Sequence, residues 1–172
     1  MQNSDGKSGT VKAMDKQWYV LYVKTGTETD IQKRLVGMGI EAAVPIENRM
    51  IRTGGKWITK PYVVFPGYVF VHILYNWALY YIMARISGVI RILGGGETPV
   101  PLTEKEAKSL LYEQELFADI PVVRVFDGGF EVMTEKHKDF AVSRINRHQR
   151  RITFRTTIAG KETEFTLSFI KA

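Results

Sequence analysis

The sequence predicts an α+β N-terminal domain, an antiparallel sheet flanked by helices, followed by a small all-β C-terminal barrel. Three observations lead there. Strand-like apolar runs alternate with helix-period segments up to about residue 116, after which the helical period disappears. Turn signals fall at hairpin spacing, at Gly54-Gly55, Asp127-Gly128-Gly129 and Ala159-Gly160. The charge shifts at the same boundary: the formal net charge is +6, and residues 120–172 hold ten basic against six acidic side chains. The shorter part of the chain therefore carries most of the excess, which suits a polyanionic partner.

The first strand is Trp18-Tyr-Val-Leu-Tyr-Val-Lys24, a near-continuous run of strand formers that reads as central. Thr25-Gly26-Thr27 breaks it, and Thr27 or Thr25 can cap a helix with Glu28 and Asp30 in its first turn. Ile31, Leu35 and Met38 recur at helical spacing, and Gly39 ends the helix. Glu41 to Pro45 begins a second strand. Asn48 to Val64 is a hairpin around Gly54-Gly55, its arms carrying Arg49, Arg52, Lys56 and Lys60.

Phe65-Pro-Gly-Tyr-Val-Phe-Val71 reads as a turn feeding a strand. Side chains then alternate: Val69, Val71 and Ile73 form an aliphatic face, while Tyr68, Phe70 and His72 form an aromatic face suited to water or a partner. Asn76 caps a helix through about Arg85 with Trp77, Tyr80, Tyr81 and Met83, and Val89 to Leu93 is a further strand closed by Gly94-Gly95-Gly96. Thr103-Glu-Lys-Glu106 is a capping box ahead of Ala107, Leu110, Leu111 and Gln114. Residues 17–116 thus make one domain of about a hundred residues, a common size, and residues 117–121 a short linker. Met1 to Lys16, rich in Gly, Ser, Lys and Asp, reads as a disordered tail.

Residues 122–172 read as the barrel. Val123 and Val125 alternate into Asp127-Gly128-Gly129. From Arg150 to Ile158, Ile152, Phe154 and Ile158 point one way and Arg151, Thr153, Arg155 and Thr157 the other. A two-residue turn at Ala159-Gly160 sets Phe154 against Phe165 and Ile152 against Leu167, all on the apolar face. It also sets Arg155 opposite Glu164, where a cross-strand ion pair competes with any other use of that arginine.

Several function classes are excluded. With no cysteine there is no disulfide framework or thiolate zinc site, which fits a reducing cytosol. No apolar run reaches membrane-span length. His72, His137 and His148 lack metal spacing, and Glu41, Glu47 and Asp119 form no visible acid–base pair. Gly94-Gly95-Gly96 lacks the Gly-Lys-Ser/Thr of a phosphate loop. No enzyme, cofactor or metal is expected. Nucleic acid is the better candidate. Lys136, Lys138, Arg144, Arg147, His148, Arg150, Arg151 and Arg155 crowd one stretch, with Asn146 and Gln149 adding amides. Arginine pairs bidentately with phosphate or guanine edges.

Several stretches together resemble the NusG family of transcription elongation factors: Trp18-Tyr19-Val20, Phe65 to Val71, Gly88-Val89 with Gly94, and then Val123 to Phe130 and Ile158 to Phe169, which resemble the KOW domain of that family. The resemblance covers roughly residues 17–172. It implies an N-terminal domain that binds the clamp helices of RNA polymerase through Tyr22, Phe65, Tyr68 and Phe70, with Trp18 beside them, and a cytoplasmic, monomeric bacterial protein. Three departures mark it as a specialised paralogue: Gly129 stands where the KOW pattern has Pro, Val132 to Asp139 replaces two further glycines, and the linker is short. Among such paralogues it most resembles the LoaP subgroup of antiterminators, whose KOW domain is expected to recognise a structured RNA hairpin in the nascent leader. Leu79, Tyr80 and Tyr81 replace the His-Thr-Thr element of RfaH. The hairpin around Arg52 and Lys56 is a candidate DNA contact. Two other readings stand beside this one: a general elongation factor whose barrel binds protein near Ile158-Ala159-Gly160, and a ribosome-associated RNA-binding protein.

Overall fold

The computed structural model describes residues 15–94, 98–112 and 116–172. The N-terminal tail through residue 14, together with Gly95, Gly96 and Gln114, lies outside the described residues. The chain runs β1 (Gln17–Val23), α1 (Glu28–Gly37), β2 (Glu41–Ala43), β3 (Ile46–Thr53), β4 (Lys56–Val63), β5 (Tyr68–Ile73), α2 (Trp77–Ala84) and β6 (Val89–Ile92). It continues through α3 (Glu104–Ala107), a π-helical turn (Lys108–Tyr112), β7 (Val122–Phe126), β8 (Gly129–Val132), α4 (Glu135–Lys138), β9 (Ala141–Asn146), β10 (Arg151–Ile158), β11 (Lys161–Ser168) and β12 (Ile170–Lys171).

The N-terminal sheet has the order β2-β5-β1-β6, with antiparallel pairing throughout. β3 and β4 form a separate two-stranded hairpin. The C-terminal part is two three-stranded sheets, β11-β10-β9 and β12-β7-β8. This is the expected α+β architecture. The β10–β11 register is also the one read from the sequence: Phe154 faces Phe165, Ile152 faces Leu167, and Arg155 faces Glu164.

Alternation along β1 and β5 divides the core in two. Tyr19, Leu21, Val69, Val71 and Ile73 pack against Ile31 and Leu35 of α1 and Met83 of α2. Trp18, Val20 and Phe70 point to the opposite face, into a second core with Phe65, Leu102 and Leu110. That second core also contains Ile152, Phe154, Phe165 and Phe169 of the C-terminal part. The barrel therefore covers the aromatic face of the N-terminal sheet. The segment expected as a linker takes part: Phe117 is buried, 5.7 Å from the Phe65 ring and 5.4 Å from the Phe165 ring.

Local expectations met three corrections. Thr27 is the N-cap of α1 by position, but its hydroxyl donates to the Lys24 carbonyl instead of capping. Met38 is exposed, because α1 is only ten residues long and ends before it. The capping box at Thr103 and Glu106 is present, yet α3 is a single turn that widens into the π-helical turn instead of a long regular helix. The extra residues between Val132 and Asp139 form α4, whose His137 is buried and bonds through Nε2 to the Leu116 carbonyl at 2.7 Å. This contact ties the barrel to the end of the N-terminal domain.

Phe70→Ala is expected to cost about 3–5 kcal/mol, as for a fully buried phenylalanine. Urea unfolding checks it; a loss below about 1 kcal/mol would mean that the barrel does not close over this face in solution.

Candidate functional site

The aromatic face is organised by the turn before β5. Gly67 has φ +86°, and a Cβ there would sit 3.3 Å from both the Tyr22 ring and the Val23 carbonyl. Only glycine meets both demands at low cost. Its N–H donates to Oε1 of the buried Glu28 at 2.8 Å, and the same carboxylate receives the Gly26 N–H. This buried carboxylate ties the two turns together and brings Tyr22 into register with Tyr68. Their rings meet edge-on at 6.3 Å, Phe65 stacks on Tyr68 at 6.4 Å, and Phe65 meets Phe70 edge-on at 5.9 Å. Four of the residues selected from the sequence thus form one contiguous cluster. Burial pushes the Tyr68 phenol above its ordinary pKa, with Tyr22 adding to the effect and Arg91 opposing it. Trp18 stands at the far end, stacked on His72 at 4.8 Å and donating from Nε1 to the Tyr112 hydroxyl.

The cluster is unequally accessible. Tyr22 is 37% exposed, whereas Phe65 and Phe70 are buried at 3% and 0%. The cover is Phe165, whose ring lies 5.7 Å from that of Phe65. A different aromatic patch stays open on α2, where Trp77 and Tyr81 are exposed and in ring contact. The apolar character all round this helix was the sequence signal for it.

A polar clasp locks the cover in place. Arg151 on β10 donates from Nη2 to Glu47 Oε1 at 2.9 Å and from Nη1 to Glu47 Oε2 at 3.1 Å. Its guanidinium also donates to the Ser168 hydroxyl and the Thr166 carbonyl. Glu47 receives the Ser168 N–H, and the Ser168 hydroxyl receives the Met50 N–H at 2.9 Å. Elsewhere on the interface, Glu106 accepts the Ala159 N–H. The fork-to-carboxylate geometry is the strong form of this interaction. Glu47 and Arg151 lie 104 positions apart, and nothing in the sequence pairs them.

The basic residues divide by what they touch. Arg151 is turned inward. Lys136 pairs with Asp119, Lys138 with Glu135, and Arg155 with Glu162 and Glu164. The Glu135 hydrogen bond raises the Lys138 pKa. Among the described residues no carboxylate pairs with Arg144, Arg147, His148 or Arg150. These four belong to β9 and the turn into β10. Asn146 closes that turn by accepting the Gln149 N–H at 2.9 Å. The rim faces the β3–β4 hairpin, where Arg150 lies over the Trp57 ring at 4.7 Å and Arg49 over the Tyr62 ring at 5.0 Å. Trp57 and Tyr62 went unremarked in the sequence. Their signal was two large aromatics on an otherwise basic, polar hairpin.

A family model described as "Transcription termination factor nusG" matches residues 16–111. The chain belongs to the NusG family. A relative from Bacillus subtilis (strain 168), named "Transcription termination/antitermination protein NusG", is 29% identical, covering 91% of this chain and 97% of that protein. The protein of the same name from Pseudomonas aeruginosa is 28% identical, with 91% and 97% covered. A solved structure described as "Domain interaction in Thermotoga maritima NusG" matches with a TM-score of 0.58 at 24% identity, covering 91% of this chain and 95% of that one. That likeness bears on the fold. Membership of a family of transcription factors agrees with a chain read as non-enzymatic. No helix among the described residues is long and apolar enough to cross a membrane, and no group of metal-ligating side chains is found among them.

Glu47→Ala leaves a buried guanidinium without its carboxylate, and the expected cost is about 3–5 kcal/mol. The double variant Glu47→Leu/Arg151→Met is expected to recover most of it. Hydrogen exchange at the Met50 amide, which donates to the Ser168 hydroxyl across the interface, reads this as lost, then regained, protection. An equal loss in both variants would show that shape, not charge pairing, holds the interface.

Proposed function

We propose that this protein is a transcription elongation and antitermination factor of the LoaP-like kind. It docks on the clamp helices of RNA polymerase through Tyr22, Phe65, Tyr68 and Phe70, and it reads a structured RNA hairpin in the nascent leader with its basic rim. The observation that carries the RNA reading is the carboxylate-free set Arg144, Arg147, His148 and Arg150 on one turn and strand. Arg147 donates from Nη2 to the Gly129 carbonyl at 3.2 Å and Arg150 lies over the Trp57 ring, but cations without a carboxylate partner remain available to phosphates and base edges. The deep, narrow A-form major groove excludes side chains, so the target is a looped or bulged hairpin. The protein acts as a monomer in the cytoplasm, with residues 17–116 and 122–172 as its two working domains.

The factor makes and breaks no bond. It acts by binding the elongating polymerase better than the paused one, which shifts the population between the two. Aromatic anchors such as Tyr68 commonly carry most of an interface's energy. Phe65 and Phe70 are under the barrel in the closed form, so polymerase docking requires the barrel to swing away. The clasp sets how much binding energy that opening consumes. The alternative, a general factor whose barrel binds a protein through Ile158-Ala159-Gly160, needs that turn accessible. In the closed form Ile158 is buried and the Ala159 N–H is held by Glu106, so that reading too requires the barrel to swing away.

Two measurements test this reading. In capture assays with core RNA polymerase, Tyr68→Ala is expected to lose binding, and Glu47→Ala to gain it by favouring the open form; no change in either would sink the docking assignment. In a salt titration with a bulged RNA hairpin, Arg144→Ala/Arg147→Ala is expected to flatten the slope of log K against log salt by about 1–2, at ~0.7–0.9 per phosphate contact. An unchanged slope would return the rim to a solvated surface.

A further inference from the structure

The β3–β4 hairpin and the barrel meet in a cleft of about 450 Å³, within the ordinary range for ligand sites. We propose that this interdomain cleft binds an unpaired stretch of nucleic acid, with at least one base stacked on its aromatic floor. The inference rests on the RNA reading of the basic rim and deepens it, because a hairpin recognised by that rim has flanking single strands.

Both walls carry the right chemistry. From the hairpin come Trp57 and Tyr62, with Arg52 directly opposite Trp57 across the ladder. From the barrel come His148 and Gln149. Arg150 reaches across the boundary to lie over the Trp57 ring, and Arg49 lies over Tyr62. A guanidinium on a ring keeps its N–H edge free for phosphate, while ring and guanidinium planes both accept a base face. No acidic side chain lines the cleft. The interface carboxylate Glu47 is engaged by Arg151. Among the described residues, Arg49, Arg52 and Arg150 have no carboxylate partner. Arg150 also sits at φ +53°, a left-handed conformation that disfavours a long side chain. Such strain collects at binding sites, and here it aims the guanidinium at Trp57.

The two walls are on different domains, so the site exists only in the closed arrangement. A ligand that binds only the closed form favours it by mass action. Single-stranded nucleic acid therefore holds the barrel over Phe65 and Phe70 and opposes polymerase docking until it is released.

The test uses the full chain and three labelled probes followed by anisotropy: an RNA and a DNA single strand of the same mixed sequence, about eight nucleotides long, and a bulged RNA hairpin. Trp57→Leu is expected to weaken the better-bound single strand about tenfold, the scale of one lost base stack, while Trp57→Phe retains binding. Arg150→Ala is expected to weaken both single strand and hairpin. The better-bound sugar identifies the source as transcript or displaced DNA strand. Protection of the Ser168 amide is expected to rise with bound single strand. Single-strand binding indifferent to Trp57→Leu but reduced by Arg150→Ala would overturn the cleft and leave the RNA rim standing. Single-strand binding that depends on Trp57, with no hairpin binding, would keep the cleft and overturn the hairpin reading. Failure of every probe to bind would overturn both, and a fall in Ser168 protection would overturn the closed-form site.

Discussion

The rest of the structure depends on one constraint: the strand pair β1–β5 is apolar on both faces. A sheet of this kind needs two covers. Helices α1 and α2 supply one, over Val69, Val71 and Ile73. For the other, over Val20, Phe65 and Phe70, the chain uses its own C-terminal barrel. That face carries aromatic rings, which both pack in a core and anchor an interface. Under the proposed docking, the barrel and an external partner compete for one surface, and the balance between them is a folding problem as much as a binding problem.

The clasp gives that competition a defined geometry. Apolar packing is non-directional and tolerates sliding. A bidentate pair between Glu47 and Arg151, 4% and 15% exposed, does not, because any shifted arrangement buries a charge without its partner. Ser168 couples the pair to the backbone of β3. The same contacts that fix the barrel also fix the distance between the hairpin aromatics and the basic rim. The cleft around Trp57 is thus a consequence of the clasp, not a separate design.

Much of the fold was legible in the chain. The two-faced alternation of β5, the Gly54-Gly55 hairpin, the Asn76 cap and the β10–β11 register all follow from short-range rules of period and turn chemistry. Tyr22, Phe65, Tyr68 and Phe70 were grouped only through the family resemblance; the β1–β5 register that sets Tyr22 against Tyr68 is seen in the structure. Misses fell where a short-range rule meets a long-range competitor. Thr27 has a cap residue's identity, but its hydroxyl is claimed by Lys24. The segment after Ala107 has helical spacing, yet it widens into a π turn over Lys108–Tyr112.

The sequence by itself determined the architecture, the aromatic face and the location of excess positive charge, because each is written in residues close together in the chain or paired through one strand register. Only the tertiary structure decided which members of those sets are available. Phe65 and Phe70 are covered and Tyr22 is not; Arg151 is spent on Glu47 and Arg150 is not; Trp57 and Tyr62 join the basic rim from a hairpin nearly a hundred residues away. Availability depends on what lies opposite each side chain in space. For these residues the opposite groups come from the other domain, where no local periodicity could place them.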